Sequence, residues 1–575
     1  MIRFQKFTRN LVYRRTGDFM KTTSKRIILV WLFTILATVA LTACSNKNGD
    51  KGGNNSSDKE LTDESKNNNS NNDIVNIGVT DTLSSVNPLL QDGTEVVKYT
   101  TSLAFLPLVE LNKDLEFVGQ LAKEITTEDN KTFTIHLDEN AVWSDGQAIT
   151  SEDVVFTFLL WASPEIGSTG MSIEKIEGTG DNGYVEPGAD SISGVVALDE
   201  HTVQITTKSE MALHSFQNIY GRYILILPKH VLGDVPRGDL LSYDWFNAPT
   251  VVSGPYFIKD VDLNHYVTME ANENYFKGAP KIKKLNFKVV TASQLLAGLR
   301  SGEIDLVQQT TGAILQEDYD SVRALDNITV YDGTPVTNQS IFINTERITD
   351  ARIRQAILYG IDRQTILNDL LKGQGEIVEG FLASAGPFYD EGVTPVEYNP
   401  DKAAQLLSEA EADGWDKSTK YTFYVNSGDT TFVQIANFIV AKLAELGLNI
   451  QVNTVDIASL LSTAGSGDFD LLAVQYTYAP VDPYTDISWL LSKEGWTRYY
   501  REEIAGALAV TQKTNDLDEI IKQYRIVTDY VQQEVPMISA YIISAIGAAS
   551  NRLKNAVPDV YGTFINVHEW ELVNN

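Results

Sequence analysis

Two stretches of this chain run strand, helix, strand with connections too short for anything but a direct crossover, and they dictate the fold class. The longer reads Tyr421 to Val425 as a strand, Phe432 to Leu446 as a helix stopped by Gly447, and Leu448 to Val455 as a strand. It continues with a helix from Ala458 to Thr463 and a strand from Leu471 to Tyr476. The shorter has a strand from Leu285 to Val290, a helix from Ala292 to Arg300 with Gly302 as its stop, and a strand at Ile304 to Val307. Crossovers of this kind are right-handed and require a parallel, twisted sheet. Two such units far apart in sequence predict two α/β lobes, and ligands of open α/β sheets sit beyond the carboxyl ends of the strands. The segment leaving the last strand, Gln475-Tyr476-Thr477-Tyr478-Ala479-Pro480-Val481-Asp482-Pro483, is therefore the first candidate for a ligand wall. Tyrosines offer wide amphipathic contact there, and the same rings at a strand end serve equally as core.

Around these units, Ile74 to Val79 reads as an initial strand followed by the turn-like Leu83 to Pro88, and Phe133 to Leu137 alternates as a strand. Thr150 with Asp153 three residues on forms a capping pattern for a buried helix from Val154 to Trp161. A glycine-rich insertion lies between Met171 and Ser191, and Val195 to Ala197 with Val203 to Ile205 predicts a hairpin. Helices at Asp350 to Ile361 and, with Pro at its first turn, from Asn399-Pro400 to Ala412 complete the outer layer.

The first residues carry a different message. Lys21, Lys25 and Arg26 precede an apolar run from Ile27 to Leu41, which ends in Thr42, Ala43 and Cys44, the basic, apolar and small-residue layout of an export signal. The run is short of the roughly 20 residues that a membrane span needs. Cys44 is the only cysteine among 575 residues, and the pattern resembles the bacterial lipobox, in which that sulfur receives a diacylglyceryl group. Two acyl chains hold a soluble domain at a membrane where one does not. Residues 1–43 are thus expected to be removed, and 44–73, almost devoid of apolar side chains, to form a lipidated flexible tether. Translation starts at Met1 or at Met20, just before Lys21. Residues 1–43 hold eight Lys/Arg against one acid, so their removal takes the formal charge from −30 to −37. A surface that acidic argues against nucleic acid and against a face lying on anionic lipid. Without a second cysteine no disulfide forms, and the exported part must rely on its cores, for which it is long enough to need two or three lobes.

Other motifs carry less. Gly178-Thr179-Gly180-Asp181-Asn182-Gly183 satisfies GxGxxG, but Tyr184-Val185-Glu186-Pro187-Gly188 follows where a dinucleotide site needs a helix, so the stretch reads as a surface loop. The six histidines are scattered, with no helical ligand spacing, so neither a metal site nor a cofactor is predicted. No GxSxG elbow appears, and Ser172-Ile173-Glu174-Lys175 matches SxxK without SDN or KTG.

Taken in order, the lipobox, the initial strand and Trp143-Ser144-Asp145-Gly146-Gln147-Ala148-Ile149-Thr150-Ser151-Glu152-Asp153-Val154-Val155-Phe156 resemble the peptide/nickel-type (family 5) extracellular solute-binding lipoproteins of ABC importers. Ser253-Gly254-Pro255-Tyr256, Asn274-Tyr275-Phe276, Gly278-Ala279-Pro280 and Ser301 to Leu306 follow in the family's order. Then come Phe342 to Thr345, Arg352 to Ile357, Ile361-Asp362-Arg363, Tyr398-Asn399-Pro400 and Val535 to Ile538, so the resemblance spans about Ile74 to Trp570. It implies an α/β, periplasmic-binding-protein-like two-lobed clamp (type II, cluster C) with an extra inserted lobe. The first lobe would be discontinuous, 74–97 with 209–336 and 546–575; the extra lobe would be 98–208 and the second binding lobe 337–545.

The implied function is to enclose a solute, most readily an oligopeptide or dipeptide, and deliver it to a membrane permease driven by cytoplasmic ATPases. The receptor would be a monomer, held by its lipid on the extracytoplasmic face of the cell membrane, with no enzymatic activity. Peptide-binding relatives hold the ligand's α-amino group with an aspartate at the position of Ala479 here, so Asp482 or another acid must replace it, or the ligand lacks a free amine. Tyr476, with Thr477 and Tyr478, falls where relatives line the pocket, and Ser84-Ser85-Val86-Asn87 matches a segment that lies along the ligand backbone. Both segments are also readable as a plain turn and a strand exit. The same clamp serves nickel chelates, haem or oligosaccharides in other members, a peptide-pheromone receptor would use the same pocket, and a surface hydrolase is the reading from another class.

Overall fold

The computed structural model describes residues 73–91, 94–167 and 172–573. The expected signal segment, Cys44 and the tether to residue 72 lie outside the described residues. Among the described residues no helix is long and apolar enough to cross a membrane.

Three of the five sheets among the described residues organise the fold. The first has seven strands in the order 328–332, 546–550, 306–307, 74–79, 284–289, 266–271, 256–262. Ile74–Val79 runs parallel to Lys284–Val289, with Ile77 opposite Phe287, and also parallel to Leu306–Val307 on its other side. The predicted strand-helix-strand unit is thus present, with helix Ala292–Ser301 between its strands, but it straddles the N-terminal strand instead of pairing with itself. Gly302 ends that helix in the left-handed region at φ 74°, where a side chain would be strained.

The second sheet has five strands, 449–455, 420–426, 471–477, 337–343, 537–543. Its first three are parallel, as their short crossovers require. Thr337–Ile343 is antiparallel to Leu471–Thr477 and to Met537–Ile543, so the sheets are mixed where the sequence predicted parallel ones. The reason lies in the connections. Ile328–Asp332 of the first sheet leads directly into Thr337–Ile343, and Met537–Ile543 leads back into Ile546–Ser550, so two neighbouring crossings join the sheets at 333–336 and 544–545. Residues alternate between two buried faces along these strands: Ile341, Ile343 and Leu471 pack into one apolar cluster, Phe342, Leu472 and Val474 into another. Burial on both faces is what helix-covered strands show.

The third sheet is small and antiparallel, 122–127, 132–137, 202–206, 195–199. Phe133 and Ile135 share one core cluster with Val75 and Ile77, which ties it to the first sheet. The capping pattern at its helix holds: Thr150 N donates to Asp153 Oδ2 at 3.0 Å at the start of Ser151–Ala162. Lys229 N donates to the other oxygen of Asp153 at 2.9 Å, so one acid serves a cap and a distant loop. Asn399 caps Pro400–Ala412 and Asp429 caps Thr430–Glu445. The GxGxxG stretch forms turns and no helix follows it.

Candidate ligand-binding site

The strand Leu471–Thr477 lies in the middle of the second sheet, and the chain leaving it turns at once: Asp482 N donates to Ala479 O at 3.0 Å. Tyr476 and Tyr478 are both buried, their rings stacked at 4.7 Å between centroids. Tyr476 is also a core ring, edge-on to Trp496 at 5.9 Å. Each hydroxyl is used. Tyr476 donates to Asp486 Oδ1 at 2.9 Å, and the Tyr478 hydroxyl lies 2.8 Å from Ser340 Oγ. Asp486 stands on the helix Tyr484–Leu490, and burial pushes its carboxyl up to about 6 against the help of the Tyr476 hydrogen bond. Thr477 is exposed and shares a 2.8 Å contact with Thr337.

Asp482 is 2% exposed, and its side-chain partners lie more than 260 positions earlier in the chain. Ser215 Oγ donates to Asp482 Oδ1 at 2.7 Å, and Asn218 Nδ2 reaches Oδ2 at 3.5 Å. Ser215 and Asn218 lie where helix Leu213–Phe216 runs into the π-turn Gln217–Gly221, a widening that re-aims side chains. Gln512 Nε2 also donates to Ser215 Oγ, at 3.2 Å. Further out, Leu213 N donates to Asn515 Oδ1 at 2.9 Å, Asn515 Nδ2 to Asn130 Oδ1 at 2.6 Å, and Lys513 pairs with Glu210 at 3.1 Å. The His214 ring meets Phe388 at 4.9 Å; burial lowers its pKa, against the pull of Asp482. The same junction has an apolar seam in which Leu111, Val336, Val481, Ile542 and Tyr561 form one cluster.

The 84–87 turn sits on the first sheet. Val86 is buried, and Asn87 is committed at both ends of its amide: Oδ1 accepts from Leu89 N at 3.0 Å and Nδ2 donates to Leu240 O at 2.9 Å. Ser85 Oγ accepts from Asn87 N at 2.9 Å, and Ser84 is exposed. The turn is a pin between the initial strand and the segment at 240. Two small cavities lie among the described residues, one lined by residues between 99 and 120 with 255, 275 and 562–565, the other by residues between 381 and 389 with 478, 480 and 483. One holds about 30 Å³ beside Tyr99, Leu106, Glu110, Gln120 and Phe564, the other about 10 Å³ beside Phe388, Tyr389 and Tyr478. That is room for a water or two.

Sequence reasoning missed the residues on the far side of the junction: Lys98, Glu110, Ser215, Asn218 and Arg222. A trace existed for one of them, since Arg222 interrupts the otherwise apolar run that reaches Leu227. The others become neighbours only through the fold.

Two sheets flanked by helices are joined by a pair of crossings at 333–336 and 544–545. The class so defined is the periplasmic-binding-protein-like two-lobed clamp, here with an extra inserted lobe. The chain belongs to the bacterial extracellular solute-binding proteins, family 5, whose middle region matches residues 116–498. It is 24% identical over 583 residues to the oligopeptide-binding protein AppA of Bacillus subtilis, covering 96% of this chain and 100% of AppA. The structure of that AppA in complex with a nonapeptide superposes with a TM-score of 0.67 at 21% identity, over 87% of this chain and 99% of AppA. The substrate-binding protein CtaP of Listeria monocytogenes gives 0.73 at 21% identity, over 87% and 99%. The nickel-binding periplasmic protein of Escherichia coli is 23% identical over 430 residues, 72% of this chain and 76% of that protein. Proteins of this family bind solutes for transport; the chain is a binding protein, not an enzyme.

Proposed function

We propose that this chain is the lipid-anchored receptor of an ABC importer, capturing oligopeptides or dipeptides between its lobes and delivering them to a membrane permease. The observation that carries this reading is the junction at Asp482: the segment expected to wall the ligand meets the first lobe through Ser215 and Asn218. Similarity to AppA, named an oligopeptide-binding protein, supports a peptide as the solute. The lobes are assigned as 74–97 with 209–336 and 546–575, the insert 98–208, and 337–545, each containing one of the three larger sheets. Closing excludes water and strengthens every polar contact made to the ligand. Cys44 is the proposed lipid attachment point, and the anchored form faces the outside of the cell membrane.

A thermal-shift screen of refolded protein against peptide pools with free and acetylated N-termini tests this, since a ligand of the folded state alone raises the melting temperature. A shift by free peptides alone assigns an acid to the amine; a shift by both makes backbone contacts sufficient. Silence from both withdraws the peptide. A metal chelate is then the second reading, favoured by Ala479, which offers no carboxylate to an amine, and by similarity to the nickel-binding protein. Incorporation of labelled fatty acid into cells, lost in Cys44→Ser, tests the anchor.

A further inference from the structure

One titratable side chain at the junction is left over by that reading. His214 stands on the helix Leu213–Phe216, between two residues that reach across to the segment 337–545. Leu213 N donates to Asn515 Oδ1 at 2.9 Å, and Ser215 Oγ donates to Asp482 Oδ1 at 2.7 Å. The His214 ring meets that of Phe388 at 4.9 Å, and Phe388 stacks in turn on Tyr524 at 5.7 Å. Nε2 is buried and has no hydrogen-bond partner among the described residues. The imidazole is thus inserted from one assigned lobe into an aromatic wall of the other.

The surroundings of the ring decide what a proton does there. Asp482, on the turn after the central strand, is the acid whose charge reaches His214. Both its oxygens are already taken by neutral donors, Ser215 and, at 3.5 Å, Asn218. Beside Phe388 and Tyr524 the charged groups are Asp390 and Arg525, which pair with each other at 3.1 Å. Glu210, just before the helix, pairs with Lys513 at 3.1 Å. Asp486, on the helix Tyr484–Leu490, accepts from Tyr476 at 2.9 Å.

Asp482 therefore attracts an imidazolium but has no hydrogen bond reserved for it. Burial outweighs that attraction and lowers the pKa of the ring below the ordinary histidine value. A neutral imidazole packs well in such a wall, whereas an imidazolium carries a donor at both nitrogens and leaves Nε2–H unsatisfied. Parting the lobes returns the ring to water, where it takes up a proton at its ordinary pKa. The joined form holds fewer protons, so acid favours the parted one.

We propose that His214 is a proton-operated release for the clamp: neutral, it lets the lobes close on a solute, and protonated, it drives them apart. This rests on the reading that the solute is enclosed between the lobes, and adds that capture is strong at neutral pH and weakens below about pH 6. Asp486 acts in the opposite sense. Burial penalises its charged form, so neutralising it with acid relieves the joined form instead of opening it.

The test follows the radius of the whole chain, unfolded and refolded to strip carried-over solute, by small-angle scattering at pH 7.5 and pH 5.5. His214→Gln, neutral at both, is measured beside it. Expected is a larger radius at pH 5.5 for the unaltered chain, with a cooperative thermal melt retained, and no change in the variant. An unchanged radius in the unaltered chain, equal expansion in both proteins, or loss of the cooperative melt overturns the release. Should the variant fail to refold, the midpoint of the expansion on the unaltered chain decides: the histidine range supports His214 and the carboxyl range overturns it. Calorimetry with peptides that raise the melting temperature at pH 7.5 should show binding weaker by about threefold or more at pH 5.5, and no such loss in His214→Gln. Equal affinity at the two pH values overturns the release and leaves the peptide reading standing. Peptides silent at both, with the expansion intact, withdraw the peptide and keep the release.

Discussion

Asp482 Oδ1 accepts a hydrogen bond from Ser215 Oγ at 2.7 Å, joining the turn after the central strand of the five-stranded sheet to the helix Leu213–Phe216. A clamp needs contacts that hold when it shuts and release when it opens. Hydrogen bonds between a carboxylate and neutral partners are of that kind, worth about 1.5–3 kcal/mol when one partner is charged.

Replacing Asp482 with Ala removes the acceptor of Ser215 Oγ and Asn218 Nδ2. Closure is expected to lose about 1–3 kcal/mol. Ligand affinity should fall by roughly tenfold or more, with little change in the melting temperature of the ligand-free protein. Small-angle scattering with saturating ligand should show a larger radius than for the unaltered chain. An unchanged radius and affinity would remove Asp482 from the closing contact.

Glu110 sits between two cations. Burial works to raise its pKa, but Arg222 first and Lys98 second hold it down at about 2. Lys98 has to share that acid, and burial together with Arg222 lowers its own pKa. A carboxyl held low in the folded state stabilises it fully above its ordinary value, and that contribution fades as pH falls toward 2. Glu110→Gln should cost about 3–5 kcal/mol at pH 7, because it leaves two buried cations without their shared partner. Urea unfolding of both proteins at pH 7 and pH 3 should show the gap narrowing at the lower pH.

Asp486 behaves in the opposite sense. Burial raises its pKa to about 6, so the folded state is penalised as pH rises from the ordinary carboxyl value through 6. Asp486→Asn should therefore raise stability at pH 8, on the order of 1–3 kcal/mol, and change little at pH 4. Tyr476→Phe withdraws the hydrogen bond that favours the anion, so the penalty should grow. Phe is the informative substitution there, since Tyr476→Ala also removes a ring that packs against Tyr478 and Trp496.

Gly254, in the Ser253-Gly254-Pro255-Tyr256 motif, lies against the backbone of Leu103, and a Cβ would land on the Leu103 carbonyl oxygen. Gly254 N donates to Ala104 O at 2.9 Å, so the two segments cannot move apart without losing that bond. Gly254→Ala should destabilise by about 2 kcal/mol or more, read as a lower midpoint in urea with an unchanged slope.

The periodic elements were legible because their causes are local. Helix Pro400–Ala412 starts where Asn399 and Pro400 say it must, Ser151–Ala162 starts at its Thr150 and Asp153 cap, and Ala292–Ser301 stops at Gly302. The three parallel strands of the second sheet followed from crossovers too short for another path. Parallel sheets throughout did not follow, because the antiparallel neighbours 337–343 and 537–543 belong to crossings between lobes, and nothing local in those strands records which sheet lies beyond them.

The sequence by itself determined the class of elements, the family, and the tyrosine-rich segment 476–482 as a place of interest. The elements came through signals that act within a few residues, caps, stops, turn chemistry and apolar period, and the family through the resemblance of its ordered motifs. Only the tertiary structure decided which neighbours those residues meet. Nothing in the segment around Asp482 specifies Ser215 and Asn218 as its partners. Lys98, Glu110 and Arg222, up to 124 positions apart, had no shared pattern until burial forced them together. Charges removed from water must find one another, and which ones do so is settled by packing at long range.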